Sequence, residues 1–138
     1  MQMEKFVRRR LRKLLKALGE AADNARARVD EETIHQLRVA TRRLSQNLKT
    51  FAVFFAKSDV KKVRRRLRTL RDLAAELRSR DIAQKQLASA GLSSEGILAR
   101  SLREERDAEV AQLNEELSHW SRRRYPQRWI HTLGLEDA

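Results

Sequence analysis

Cationic side chains repeat at helical spacing in two segments of this chain, and their type suits the binding of phosphate or sulfate. At about 100° per residue, a sector about 60° wide holds four protonatable side chains of the first segment: His35, Arg38, Arg42 and Lys49. Guanidinium groups bind phosphate oxygens through paired hydrogen bonds and are more weakly hydrated than ammonium groups. The spacing therefore predicts a cationic ridge along about four turns of helix, with Arg43 farther round.

A second cationic row follows on the next helical segment. Its members fall on one side of a helix: Lys61, Arg64, Arg65, Arg68, Arg71 and Arg78. Because the connection between the two segments is short, they are predicted to be antiparallel neighbours. Two such ridges would line a groove with like charges that repel one another, and a long ligand with regularly spaced negative charges would relieve that repulsion.

The positive charge of the chain is concentrated around these rows. The net charge is +12, and residues 35–71 contain 12 Lys or Arg but one acid, Asp59. The rest of the chain holds 19 basic and 18 acidic residues and is nearly neutral. For Lys62, Arg66 and the run Arg8 to Arg10, a solvated surface is the simpler interpretation. The scarcity of acids makes that interpretation weaker for the two rows.

Nucleic acid is the main alternative partner for such a surface. A basic groove can neutralise DNA or RNA phosphates without reading sequence. Aromatic residues make up only 5% of the chain, and Phe51, Phe54 and Phe55 are expected in the core, so stacking platforms for single strands are not expected. The basic faces also lack bulky apolar residues, so we expect no membrane insertion.

Few residues suit catalysis or metal binding. The chain has three histidines, no cysteine, no glycine-rich phosphate loop and no metal-hydrolase spacing of histidine and carboxylate. Four acids are expected to form a solvated face: Glu104, Glu105, Asp107 and Glu109. We therefore expect a protein without enzymatic activity, cofactor or metal. The lack of cysteine and of a signal-peptide pattern leads us to expect a cytoplasmic location.

Four amphipathic segments would position the two rows. Apolar residues recur at three- and four-residue steps in stretches that begin at Val7, Ile34, Val60 and Leu98. This pattern predicts an all-α fold, an antiparallel helical bundle of about four long helices. We expect a single domain over residues 1–126 and a tail over residues 127–138. Helix caps are predicted at three places: Asp30, Ser58 or Asp59, and Ser93 or Ser94.

Residues 35–44, with the sequence HQLRVATRRL, closely resemble the first signature helix of CHAD domains, the conserved histidine α-helical domains. Residues 67–70 followed by Arg80-Asp81-Ile82 look like the second, and the resemblance covers roughly residues 30–88. It implies a helical domain that binds inorganic polyphosphate through a basic surface and is associated with polyphosphate granules. Carried over by position, the motif residues would be His35, Arg38, Arg42 and Arg43, completed by the cationic positions of the next helix.

The chain departs from the family pattern in three ways. Ser45 stands where the family often has another arginine, and Glu76-Leu77-Arg78 replaces a leucine-glycine pair that often precedes Arg-Asp. A usual CHAD domain also contains two similar helical halves, whereas this chain has a single histidine motif. Either two chains pair to rebuild the double unit, which is the homodimer that we expect, or the chain is a shortened or divergent member of the family. It also implies that Arg80 and Asp81 form a structural pair.

Overall fold

The computed structural model describes residues 2–92 and 95–136 of the chain. Within them lie five α-helices and a short 3-10 turn: α1 (Gln2–Ala27), α2 (Glu31–Thr50), the turn Ala52–Phe54, α3 (Lys57–Ser89), α4 (Ile97–Arg123) and α5 (Tyr125–Thr132). Each of α1 to α4 packs on the next, α4 returns to α1, and α5 contacts α1 and α4. The all-α bundle of about four long helices is confirmed, and α5 is an addition to it.

The core consists of apolar side chains from the predicted stripes. In α1, α2 and α3 the stripes are confirmed, with Leu11, Leu37 and Leu70 fully buried. Burial of each such side chain stabilises the fold by about 1.5–3 kcal/mol. Thr41 is also buried, and its hydroxyl donates to the carbonyl oxygen of Leu37 at 2.9 Å, so its burial leaves no hydrogen bond unmade.

Two predictions of which apolar side chains are buried are partly wrong. Phe51 and Phe55 pack against the core as expected, but Phe54 is 37% exposed. In α4 the buried stripe is confined to the second half, at Leu113, Leu117 and Trp120, and Leu98 is exposed. The first half of α4 faces charged residues of α3, so ion pairs take the place of apolar contacts there.

These ion pairs join the C-terminal part of α3 to the N-terminal half of α4. Arg80 contacts Glu105 at 2.8 Å and Glu109 at 3.1 Å, and Arg106 contacts Asp81 at 2.7 Å. The hydrogen bond to Glu109 raises the pKa of the Arg80 guanidinium further above its high ordinary value. The expected solvated acidic face is therefore wrong for Glu109, whose side chain is only 16% exposed, whereas Glu105 is exposed although it pairs with Arg80. Arg80 and Asp81 do form structural contacts, but each pairs with α4 and not with the other.

The described helices begin with caps of different kinds. Asp30 caps α2 as predicted, in a capping box with Thr33. The prediction of Ser58 or Asp59 for α3 is wrong, because α3 begins earlier and its N-cap is Ala56, which has no capping side chain. Ser93 and Ser94 lie outside the described residues, and α4 begins at Ile97 after Gly96.

The Asp30 cap gives a prediction about pH. The backbone N–H of Thr33 donates to Asp30 Oδ1 at 2.9 Å, and this bond lowers the pKa of Asp30 below its ordinary value of 3.8. A depressed carboxyl pKa stabilises the fold above the unfolded-state value, and that contribution is lost as pH falls through the folded-state value. Since Asn also caps well, Asp30→Asn should be nearly as stable as wild type at pH 7.

Urea denaturation at pH 7 and at pH 3 tests this prediction. The difference in unfolding free energy between wild type and Asp30→Asn should shrink or reverse at pH 3, because the variant has no carboxyl to protonate. Asp30→Ala, which lacks a capping group, should be the least stable at pH 7. A difference between wild type and Asp30→Asn that stays constant with pH would contradict the assigned role of the carboxylate.

The segment after Pro126 docks onto the bundle. Arg124 adopts the left-handed conformation, with φ 53°, and this turn separates α4 from α5. Trp129, Leu133 and Leu135 are buried. The boundary at residue 126 stays a prediction, but the described residues beyond it pack against the core. Among the described residues, none of the helices has the length and apolar character that crossing a membrane requires.

Candidate anion-binding surface

The two cationic rows lie on neighbouring antiparallel helices whose register is set by contacts between side chains. Arg64 Nε of α3 donates to Ser45 Oγ of α2 at 3.4 Å. Toward the other end, Lys85 Nζ pairs with Glu31 at the start of α2. Between these two contacts, Arg68 and Arg71 must lie level with the middle of α2, near Arg42. We call the surface along this helix pair the α2–α3 surface.

Helical geometry places most of both rows toward that surface. Ser45 marks the side of α2 that faces α3, and Arg38 and Lys49 lie within about 40° of it round the helix axis. On α3, Arg66 faces away, because it pairs with Glu116 of α4 at 3.1 Å. The row that includes Arg64 is therefore on the side of α2.

All eleven predicted site residues have side chains at the protein surface. Three are half-buried beside the helix boundary, namely Arg38, Arg64 and Arg78. The others are exposed: His35, Arg42, Arg43, Lys49, Lys61, Arg65, Arg68 and Arg71. By helical angle, Arg43 is turned away from α3, so the structure brings it less close to the others, whereas Arg65 lies with Lys61, Arg64 and Arg68 at the start of α3. The binding role of all eleven stays a prediction.

Acidic partners are scarce along this surface. Among the described residues, Arg71 alone of the eleven forms an ion pair, a long contact of 3.9 Å with Asp72. Arg78 lies near Glu31, whose pKa is lowered first by the hydrogen bond from Lys85 and then by the charges of Lys85 and Arg78. Within the part of the chain that the structure describes, the remaining members of both rows form no ion pair. Arg80 and Arg106, by contrast, are neutralised by ion pairs between α3 and α4.

At the start of α3 the surface forms a basic depression of about 400 Å³. Five cations and two small apolar residues line it: Ala52, Lys57, Val60, Lys61, Arg64, Arg65 and Arg68. Lys57 was not predicted, although it lies four residues, one helical turn, before Lys61. A depression lined by so many cations can hold an anion by Coulomb attraction and by hydrogen bonds from guanidinium groups.

Another basic depression lies on the far flank of α3, against α5, and it includes Arg128 and Lys62. Sequence reasoning missed Arg128, because only the docking of α5 brings it beside α3. No group of three or more metal-ligating side chains occurs among the described residues.

Comparison with known proteins adds one finding. The family model of the CHAD domain matches residues 9–136, which is nearly the whole chain. A search of the curated proteins gives no match, and a search of the solved structures gives none either.

Proposed function

Because the chain belongs to the CHAD domain family, we propose that it binds inorganic polyphosphate along the α2–α3 surface without catalysing a reaction. The family is associated with polyphosphate binding in general, and the observation that supports the proposal here is electrostatic. Of the eleven predicted site residues, Arg71 alone is ion-paired among the described residues, and that contact is long. Such a surface repels itself when empty and is relieved by a polyanion.

The length of the surface suits a linear ligand. From His35 to Lys49 the helix rises about 21 Å, at 1.5 Å per residue. Over this length α2 and α3 present cations from both sides, so a thin chain between them can be contacted repeatedly. Arginine contributes most of these contacts, and its planar guanidinium can bind two oxygens of one phosphate at once. The hydrogen bond from Arg64 to Ser45 orients one guanidinium before the ligand arrives.

The surface is less suited to single-stranded nucleic acid. Phe51 and Phe55, at the end of α2 and in the following loop, are packed against the core, and Phe54 between them is 37% exposed, so the three offer limited ring surface for base stacking. Duplex nucleic acid could still be held by charge alone, with a strong dependence on salt. Non-specific nucleic-acid binding therefore remains the alternative that an experiment has to separate from polyphosphate binding.

The remaining parts of the proposal concern assembly and location. We propose that two chains pair as a homodimer, because the single histidine motif supplies one half of the usual CHAD unit. Exposed apolar side chains lie where α3 ends and α4 begins, and they are compatible with contact to a second copy. Among them are Ile82, Ile97 and Leu98. We also propose that polyphosphate is bound in the cytoplasm, where the protein would be held at polyphosphate granules.

A competition titration at near-physiological salt tests the proposal. Labelled long-chain polyphosphate is displaced by unlabelled polyphosphate, duplex DNA, RNA or heparin at matched anionic charge. Polyphosphate should compete at least tenfold better than the others, a difference of about 1.4 kcal/mol. Equal competition by all polyanions would leave only a generic electrostatic surface. Sedimentation velocity of the same protein, free and bound, gives the mass that tests the proposed pairing.

A further inference from the structure

The basic depression between α3 and α5 has features of a binding site in its own right. Its volume is about 360 Å³, and we call it the α3–α5 depression. Cavities that hold small ligands measure about 300–1,000 Å³, so this space suits a compact ligand. It lies across α3 from the α2–α3 surface, because Arg66 on its wall faces α4 and α5 and not α2.

Its charge is positive and only partly offset. Lys62, Arg65 and Arg128 line the depression, and within the described part of the chain none of the three forms an ion pair. Arg66, by contrast, is held by Glu116 at 3.1 Å. Three cations that share a small volume repel one another, and a ligand with two or more negative charges would offset that repulsion. Two hydroxyl groups on the wall, from Thr69 and Thr132, can add hydrogen bonds.

The wall of the depression is held in place by aromatic packing. The rings of Tyr125 and Trp129 stack with their centroids 5.4 Å apart, and Trp129 is only 6% exposed. The Arg66 guanidinium lies over the Tyr125 ring at 5.0 Å, and the Tyr125 hydroxyl pairs with His119 at 2.9 Å. A wall fixed in this way needs little ordering when a ligand binds, which lowers the entropic cost of binding.

We infer that the α3–α5 depression is a second phosphate-binding site, which takes a short oligophosphate or the end of a longer chain. Arg65 lines both this depression and the one at the start of the α2–α3 surface. A polyphosphate chain could therefore cross α3 at Arg65 and continue from one site into the other. In that form the inference rests on the proposed function, whereas binding of a free oligophosphate does not require it.

Titration calorimetry with inorganic tripolyphosphate tests the inference on three variants of the full chain. Lys62→Ala with Arg128→Ala removes two exposed cations of the depression and should weaken tripolyphosphate binding at least tenfold. Arg9→Ala with Arg10→Ala removes the same charge from exposed positions of α1 and should change it less than twofold. Circular dichroism checks that each variant is folded. Unchanged tripolyphosphate affinity in the folded Lys62/Arg128 variant, or an equal loss in the α1 control, would overturn the inference.

The same titration with long-chain polyphosphate distinguishes a free short oligophosphate from the end of a longer chain as the ligand of the depression. If its affinity also falls in the Lys62/Arg128 variant, the depression binds part of the polymer. If only tripolyphosphate is affected, the depression is an independent site for a short oligophosphate. The third variant, Arg38→Ala with Arg42→Ala, reports on the α2–α3 surface alone. Unchanged long-chain binding there would count against the proposed function while leaving the tripolyphosphate result intact.

Discussion

Arg38→Ala combined with Arg42→Ala is expected to weaken binding of long-chain polyphosphate ten- to a hundredfold, about 1.4–2.8 kcal/mol. The two side chains lie one turn apart on α2, on the side of the helix that faces α3, which Ser45 marks by its contact with Arg64. Neither forms an ion pair among the described residues, so their loss removes ligand contacts without leaving a carboxylate unpaired. Fluorescence polarisation with labelled polyphosphate measures the change, and the helix content should stay the same.

The matched control is Arg9→Ala with Arg10→Ala. It removes two positive charges from exposed positions on α1, a helix outside the α2–α3 pair, and should change the affinity less than twofold. An equal loss in both double variants would mean that net charge alone drives binding. Wild-type affinity in the folded Arg38/Arg42 variant would exclude this part of α2 from the site.

Trp120→Ala is expected to lower the free energy of unfolding by about 3–5 kcal/mol, the usual cost of removing a large buried aromatic. Trp120 is 2% exposed, and its Nε1 donates to Glu116 at 3.1 Å. Its ring meets those of Tyr125 and Trp129 edge-on, at 5.5 and 5.1 Å. The substitution would therefore leave a cavity at the place where α5 docks on α4.

Urea denaturation followed by circular dichroism measures this loss of stability. Val53→Ala is the control, because Val53 is 87% exposed in the 3-10 turn after α2, and its change should be within about 0.5 kcal/mol. A loss below about 1 kcal/mol for Trp120→Ala would show that docking of α5 contributes little to the fold. The prediction of a domain that ends at residue 126 would then gain support.

The predictable parts of this molecule are those set by local spacing. Helical periodicity predicts the stripes of α1 to α3, and the capping preference of Asp30 predicts the start of α2. The cationic row on α2 follows from the angles of His35 to Lys49 round one helix. For these features, residues close in the chain decide the outcome, so one sequence is enough.

The parts that sequence reasoning missed depend on tertiary contacts. Leu98 belongs to an apolar pattern, but it is 58% exposed, and it lies before the part of α4 that pairs with Arg80 and Asp81 of α3. Glu109 looks like a surface acid until the pairing of α3 with α4 brings Arg80 to it. The same holds for Arg128, which reaches α3 only because α5 folds back on the bundle. The local sequence around these residues does not indicate which helix they will pack against.

The exchange of apolar contacts for ion pairs along α3 has a consequence for motion. Buried apolar residues of α3 end at Leu77, and the remaining turns are held to α4 by pairs such as Arg80 with Glu109. Contacts of this kind are individually weak and are screened by salt. Backbone amides beyond Leu77 should therefore exchange hydrogen through local opening, faster at higher ionic strength, whereas those beside Leu67 exchange with global unfolding. One continuous helix thus belongs to two cooperative units, and the cationic row up to Arg71 lies in the more rigid one.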